Sequence, residues 1–415
     1  MNMVKKEASK INKKNLDDFS RKLRQESAVD FLKDYINWQR KFRSGEISIK
    51  HESSIPKAGP LFINLDLTTD CSYSCPFCVD THIIDSGKKF TYKQVVNIID
   101  TLSRRGLKSV LLIGGGEPTL HPDFGVIVKY LKKKNLQVGI VTNGSFMEKI
   151  IGVADFLGKG DWVRLSLDAG TDKTFQALHR PKLKIGLAEI CDNVSKLKAV
   201  NENLMVGFSY VIIWNGINMN GVKLMPNVNE IPSAAKLAKN SGFDYISFKP
   251  CLFKVSNVES LLYCETDKFK KNILPKIKDK IKEAEKIADN KFKVVTTQNL
   301  KAVFGNKFSE SKLQSPQCHT QVFRQILTPT GVYHCPAYRG FDRAKIGEFN
   351  AFNTEKKFKE TIFANYKNLV RFNPCQQCRD IACFYNQTNR WIEEFIQSGK
   401  NIEEIETCED DNFFI

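Results

Sequence analysis

Leu61-Phe62-Ile63-Asn64-Leu65-Asp66-Leu67-Thr68, followed shortly by Cys71-Ser72-Tyr73-Ser74-Cys75-Pro76-Phe77-Cys78, is the stretch on which the reading of this 415-residue chain turns. The first half alternates apolar and polar residues and reads as a strand. The second half sets three thiols at C-x3-C-x2-C spacing on the loop that leaves it. Thiolates are soft ligands suited to zinc or to iron–sulfur clusters. Three on one loop can hold three corners of a [4Fe–4S] cube and leave the fourth iron open to a reacting molecule. The spacing alone also allows a zinc site completed from elsewhere, or three unrelated thiols.

Outward from this stretch, strand and helix patterns alternate from Leu61 to Pro250. Strands are expected at Leu61–Thr68, Ser109–Ile113, Gln137–Thr142, Trp162–Leu167, Met205–Ile213 and Tyr245–Phe248. Helices are expected at Thr91–Arg105, Asp123–Lys134, Ser145–Leu157, Leu187–Val200 and Glu230–Ser241. Such alternation implies right-handed βαβ units around a parallel sheet. Six repeats suit an α/β fold of the partial (β/α)6 TIM-like barrel type, whose chemistry gathers at the C-terminal strand ends. The suggestive residues fall at those ends. Gly114-Gly115-Gly116-Glu117-Pro118 follows the second strand and Thr142-Asn143-Gly144 the third. Arg164, Ser166 and Asp168 share one face of the fourth, Asn64, Asp66 and Thr68 one face of the first, and Tyr245, Ser247 and Lys249 one face of the sixth. They would line a wet interior, although Asn64 and Tyr245 suit a satisfied core equally well.

Composition is that of an ordinary soluble globular protein, with 42% hydrophobic and 26% charged residues. No apolar run is long enough to cross a membrane and no signal peptide opens the chain, so a cytoplasmic location is expected. The net charge of +17 comes from 49 lysines against 14 arginines, spread along helices such as Asp267–Lys293. That reads as a solvated basic surface, not a nucleic-acid site. Residues 1–55 form a basic extension, expected to be partly disordered up to Gln25, with a short amphipathic helix over 27–44. The core domain spans 56–251, a helical bridge 252–315, and a closing helix with a tail 388–415.

Twelve cysteines in a reducing compartment argue against disulfides. Beyond the first trio, a second group gathers Cys318, Cys335, Cys375, Cys378 and Cys383 within a small α+β domain over 316–387. There Val322–Leu327 and Val332–His334 read as a hairpin turning at Gly331.

The cysteine loop, the Gly-Gly-Glu-Pro turn and the Ser-x-Asp strand, in this order, resemble the radical S-adenosylmethionine (SAM) enzymes over roughly Leu61 to Pro250. The resemblance implies that Cys71, Cys75 and Cys78 ligate a [4Fe–4S] cluster whose open iron is chelated by the amine and carboxylate of SAM. It further implies that Phe77 packs near adenine and that Gly115, Gly116 and Glu117 receive the methionine amine. Ser166 and Asp168 would then hold ribose or carboxylate, with Thr142 and Asn143 alongside and Arg180 facing the carboxylate. The family's reduced cluster cleaves SAM to a 5′-deoxyadenosyl radical, drawing its electron from a flavodoxin- or ferredoxin-type donor. The second cysteine group resembles the auxiliary-cluster domains SPASM and Twitch, with Cys318, Cys335, Cys375 and Cys378 matching the order. The full SPASM run is missing, because four residues separate Cys378 from Cys383, so one further [4Fe–4S] cluster in a Twitch-type domain is expected. Cys383 is then an alternative ligand or filler, and a four-thiolate structural zinc competes.

An auxiliary cluster with four protein ligands has electron transfer as its natural task. The expected function is therefore an oxidoreductase acting on a small molecule, with Lys249 and Arg164 as base or substrate anchor. A peptide-modifying maturase is the alternative within the enzyme class, and a non-catalytic electron carrier the alternative outside it.

Overall fold

Apolar residues at every second position of a strand send one face towards helices and leave the other for the interior. The computed structural model, which describes residues 19–255, 259–262, 268–305, 314–378, 383 and 385–414, follows that rule. The six expected parallel strands are β1 (Phe62–Leu65), β2 (Ser109–Leu112), β3 (Gln137–Thr142), β4 (Trp162–Ser166), β5 (Met205–Ile212) and β6 (Tyr245–Pro250). Four more follow: β7 (Lys293–Thr296), β8 (Arg324–Thr328), β9 (Gly331–Tyr333) and β10 (Lys345–Gly347). In space their order is β7-β6-β5-β4-β3-β2-β1-β8-β9-β10. Neighbours from β7 to β8 are parallel, and β9 and β10 return antiparallel. Helix-facing Leu65, Leu112, Ile140, Leu165, Phe208 and Phe248 are wholly buried. Each contributes about 1.5–3 kcal/mol through the apolar area it removes from water.

The sheet runs past both expected boundaries. The expected helical bridge supplies β7, in register with β6 from Lys293↔Tyr245 to Thr296↔Phe248. The helix expected over 267–293 is Leu274–Glu285, preceded by a π-helical turn at Phe269–Ile273, and its first expected residue lies outside the described residues. The second cysteine group does not stand on a sheet of its own, since β8 pairs with β1 from Phe62↔Arg324 to Leu65↔Leu327. The hairpin turns at Gly331, whose φ of +150° and close approach to Lys345 leave no room for a side chain.

The N-terminal extension divides at Phe19. Residues 1–18 lie outside the described residues, whereas Phe19–Leu23 is a buried helical turn. Lys22 donates to the Phe414 carbonyl, and Gln25 Nε2 to that of Asn412 at 3.0 Å. The expected disorder up to Gln25 therefore does not hold for Phe19 onwards, because the C-terminal tail covers this turn. That tail also closes the floor of the barrel. Phe414 packs on Phe62 and Trp162, with ring centroids 5.8 and 5.2 Å away. Gln137 Nε2 donates to Asp411 O at 2.6 Å and Ser109 Oγ to Phe413 O at 2.9 Å. A helix over Asp172–His179, capped by Thr171, has no counterpart in the sequence reading. Among the described residues no helix is long and apolar enough to cross a membrane.

The helix Val29–Arg43 packs along the closing helix Asn386–Gln397 through a buried polar chain. Gln39 Nε2 donates to Tyr35 Oη at 2.7 Å, and Tyr35 Oη donates to His319 Nδ1 at 2.6 Å. His319 Nε2 donates to Glu393 at 2.9 Å, and Arg43 grips the same carboxylate at 2.7 and 2.8 Å. Burial works against the Glu393 charge, but the hydrogen bonds from Arg43 and His319 win and hold its carboxyl well below the usual range. A carboxyl depressed on folding stabilises the fold above its unfolded pKa, and that contribution is lost as pH falls through the folded value. Glu393→Gln is therefore expected to cost about 1–3 kcal/mol at neutral pH. Its deficit against the wild type should shrink in urea melts repeated below about pH 4. An equal deficit at both pH values would contradict this account.

Candidate active site

Cys71, Cys75 and Cys78 leave β1 on a loop that its neighbours hold at every step. Cys71 N donates to Asp85 at 3.0 Å, and Lys182 Nζ donates to Cys71 O at 2.9 Å while pairing with Asp85 at 2.5 Å. Ser74 N reaches the carbonyls of His179 and Arg180, both at 3.2 Å. Burial pushes the Cys71 thiol up to about 11 and Cys78 to about 12, and raises Cys75 as well, where the neighbouring thiols of Cys78 and Cys71 add to the effect. Every described cysteine is a free thiol.

The turn after β2 presses on the start of this loop. A Cβ on Gly116 would meet the carbonyl oxygens of Asp70 and Thr68 at 2.5 Å, and one on Gly115 would meet Asp66 Oδ2 at 2.8 Å. Glu117 N donates to Asp70 O at 2.8 Å. The Glu117 carboxylate is buried and accepts from Thr119 N and Oγ1 at 3.1 and 2.6 Å, Thr142 Oγ1 at 2.7 Å and Asn143 N at 2.8 Å. Glu117 and Thr142 are thus struts between β2 and β3, with three of these donors on Oε1 and a single one on Oε2. The Asn143 side chain turns to the cysteine loop, donating to Ser72 Oγ at 2.9 Å and lying 3.9 Å from Cys71 Sγ.

At the end of β4, Ser166 is half-buried and Asp168 buried. Asp168 adopts φ +51°, a left-handed conformation that aspartate tolerates better than most residues. Val211 N holds its carboxylate at 2.6 Å and Asn227 Nδ2 its carbonyl at 2.7 Å. His179, which looks like a packing residue in the sequence, stands between Asp168 and the cysteine loop. Its Nε2 donates to Leu167 O at 3.0 Å and lies 3.3 Å from Asp168 Oδ2, so Nδ1 accepts from the Cys75 thiol at 3.3 Å. Phe77 packs edge-on against the same imidazole at 5.8 Å. Arg180 caps this helix at φ +46° with its side chain exposed, and what reaches the loop is its carbonyl. Deeper in the barrel, Arg164 and Lys249 face the interior from β4 and β6. Burial and the charge of Arg164 lower the Lys249 amine to about 7.

The second cysteine group differs from expectation in one member. Cys318, Cys335, Cys378 and Cys383 gather around Ile326, Tyr333 and Tyr338. Burial comes first and the neighbouring thiols second in raising Cys318 to about 11, and Cys383 rises to about 12 by the same causes. Cys378 is pushed up likewise by burial and by Cys335, Cys318 and Cys383. Cys375 is exposed instead, its sulfur 3.7 and 3.8 Å from the carbonyls of Gln314 and Ser315. In the single turn Pro374–Gln377, a residue three positions before Cys378 faces outwards.

One side chain joins the two groups. Arg339, four residues past Cys335, reaches Asp66 at 3.0 Å and Asp80, two past Cys78, at 2.7 Å. His82 Nε2 donates to Arg339 O at 2.7 Å and stacks on Phe341 at 4.4 Å. No sequence signal marks Arg339 or His179, because neither sits in a motif and both act through long-range packing.

Residues 65–225 match the model of the Radical SAM superfamily. Over that span, which is less than half of the chain, the sequence resembles the radical SAM superfamily. An S-adenosylmethionine-dependent nucleotide dehydratase of Selenomonas ruminantium is 30% identical over 154 residues, 36% of this chain and 56% of that protein. Mycofactocin maturase MftC of Mycobacterium tuberculosis is 34% identical over 125 residues, 29% of this chain and 30% of that protein. The chain thus spans less than two thirds of either relative. Among solved structures, Streptococcus suis SuiB superposes with a TM-score of 0.56 at 15% identity over 96% of this chain and 95% of that one, a likeness of fold.

The cofactors of a radical SAM protein are SAM and a [4Fe–4S] cluster, and the residues present fit them. Three free thiols on one loop repel each other's ionisation, and a cationic iron core relieves that repulsion. Among the described residues no three Cys, His, Asp or Glu side chains converge tightly enough for a single metal ion. Gly115 and Gly116 let the turn lie directly against the start of the cysteine loop, at the edge the fold leaves for chemistry. Because backbone oxygens at 2.5 Å cannot yield as a side chain can, Gly116→Ala should displace the cysteine loop. Anaerobic titration is expected to show SAM affinity reduced at least about tenfold, the equivalent of 1.4 kcal/mol. Unchanged affinity would contradict the packing argument.

Proposed function

We propose that this radical SAM protein is an oxidoreductase acting on a small molecule, with a second [4Fe–4S] cluster held by Cys318, Cys335, Cys378 and Cys383. The observation that carries the reading is the gathering of these four thiols, Cys378 buried and the others half-buried, with Arg339 linking their segment to the loop of Cys78. When bound, the first cluster supplies the electron that splits SAM into methionine and a hydrogen-abstracting 5′-deoxyadenosyl radical, and the second accepts the electron a substrate radical gives up with its proton.

The chain's own residues do the rest. Cys71, Cys75 and Cys78 present three thiolates, and the zipper of residues 179–182 along their loop fixes the spacing. Glu117, Thr142 and Asn143 lock two strand ends together, so that the turn at Gly115 and Gly116 is held firmly against the cysteine loop. Ser166 and Asp168 are proposed to orient ribose, and Phe77 to lie along adenine. Arg180 is the proposed partner of the SAM carboxylate, reached by a turn of its exposed side chain. The Arg164 guanidinium carries donors only, which suits an anchor and not a base. Phe62, Trp162 and Phe414 place an apolar layer at the foot of the sheet, opposite the cysteine loop.

A peptide side chain is the alternative substrate. Against it, the described part of the N-terminal extension is spent on packing against the closing helix, and no separate peptide-binding module appears among the described residues.

Anaerobically reconstituted protein should hold about eight irons, four per cluster. Cys383→Ala should bring this to about four, whereas Cys375→Ala should leave it near eight. The reverse pattern would restore Cys375 as the ligand, and about four irons in the wild type would end the second cluster. With dithionite and SAM the protein should release 5′-deoxyadenosine, and alanine at Cys71, Cys75 or Cys78 should abolish that release.

A further inference from the structure

Two half-buried cations on the inner face of the sheet have no anion within hydrogen-bonding distance among the described residues, although the charge of Asp168 favours the Lys249 ammonium. Arg164 and Lys249 project from β4 and β6, which flank β5, and among the described residues neither makes an ion pair or a hydrogen bond. Arg164 is level with Gly207 and Tyr245, and Lys249 with Val211. A Cβ on Gly207 would sit 2.1 Å from the Tyr245 ring, so this glycine lets the phenol lie across β5 beside the guanidinium. Arg164 rests on the Trp162 ring at 5.4 Å, and its Nε is buried without an acceptor.

The acids nearby are already engaged. Asp168 is held by Val211 N at 2.6 Å and faces His179 at 3.3 Å. Asp66 faces Arg339 at 3.0 Å, and Asp244 at the foot of β6 holds Lys198 at 3.0 Å and Val206 N at 2.6 Å. Two more interior groups, Ser247 Oγ and Asn64 Oδ1, are buried without partners. Charges and polar groups left unpaired in a protein interior are costly, so a fold that keeps them together is completed by a ligand.

We propose that Arg164 and Lys249 receive a carboxylate or phosphate group of the substrate, which is therefore an anionic small molecule. The guanidinium fork takes two oxygens and the ammonium a third, with the Ser247 hydroxyl in reach of the same wall. A bound oxyanion favours the charged amine, which makes Lys249 an anchor and not a proton acceptor. The inference rests on the barrel interior being the reaction chamber of the radical SAM reading.

The test is calorimetric titration of inorganic phosphate, and separately of acetate, into the reconstituted protein saturated with SAM. At least one should bind at a single saturable site, and the stronger of the two tells phosphate from carboxylate. Arg164→Gln and Lys249→Gln should each weaken that binding roughly tenfold, as loss of a charge-assisted hydrogen bond does. If the glutamine variants fail to fold, Arg164→Lys and Lys249→Arg keep the charge, alter the fork, and must still shift the affinity. No saturable binding, binding indifferent to these substitutions, or displacement of phosphate by SAM would each overturn the proposal. Failure of the radical SAM reading shows separately, as absence of 5′-deoxyadenosine from the wild type, because anion titration needs no turnover.

Discussion

The parallel pairing of β1 with β8 is the constraint from which the rest of the arrangement follows. β1 ends in the loop of Cys71, Cys75 and Cys78, and β8 turns at Gly331 into the strand that delivers Cys335. Strands locked side by side cannot slip by one residue without turning every side chain to the wrong face. The register Phe62↔Arg324 to Leu65↔Leu327 therefore fixes the distance between the two thiol groups. Arg339 then closes the gap, its guanidinium shared between Asp66 and Asp80 in a buried setting where charges interact strongly. The two groups are parts of one continuous sheet.

The site is built in layers with distinct tasks. Nearest the loop, Glu117, Thr142 and Asn143 satisfy one another, which costs little and leaves the strand ends rigid. Around it, His179 and Asp168 form a short polar chain ending on Cys75, with Asn227 holding the left-handed backbone at Asp168. Below it, the polar interior is left incomplete, with cations and orphan acceptors facing inwards. That gradient, from satisfied to unsatisfied, separates scaffold from receiving surface.

Much of this was legible in the sequence because local pattern and chemistry coincided there. The alternation from Leu61 to Pro250 carries β1 to β6 and most helices, and the first cysteine trio and Gly-Gly-Glu turn fall at strand ends as their spacing implies. What escaped depends on distance. The helix Asp172–His179 is short, and its only local marker is the Thr171 cap. The exposure of Cys375, while Cys383 lies with the other thiols, turns on which side of one helical turn faces inwards, and spacing alone does not reveal that. β7 is a short β-branched run, Val294-Val295-Thr296, within a lysine-rich segment, and its pairing comes from β6 offering a free edge.

The tail that ends in Phe413 and Phe414 has a consequence for the two ends of the described chain. Phe414 sets its ring edge-on against Phe62 and Trp162, the first residues of β1 and β4, while Lys22 and Gln25 donate to tail carbonyls. The first and last described segments are thereby fastened to each other at the foot of the sheet, away from the cysteine loop. Fraying of one would release the other.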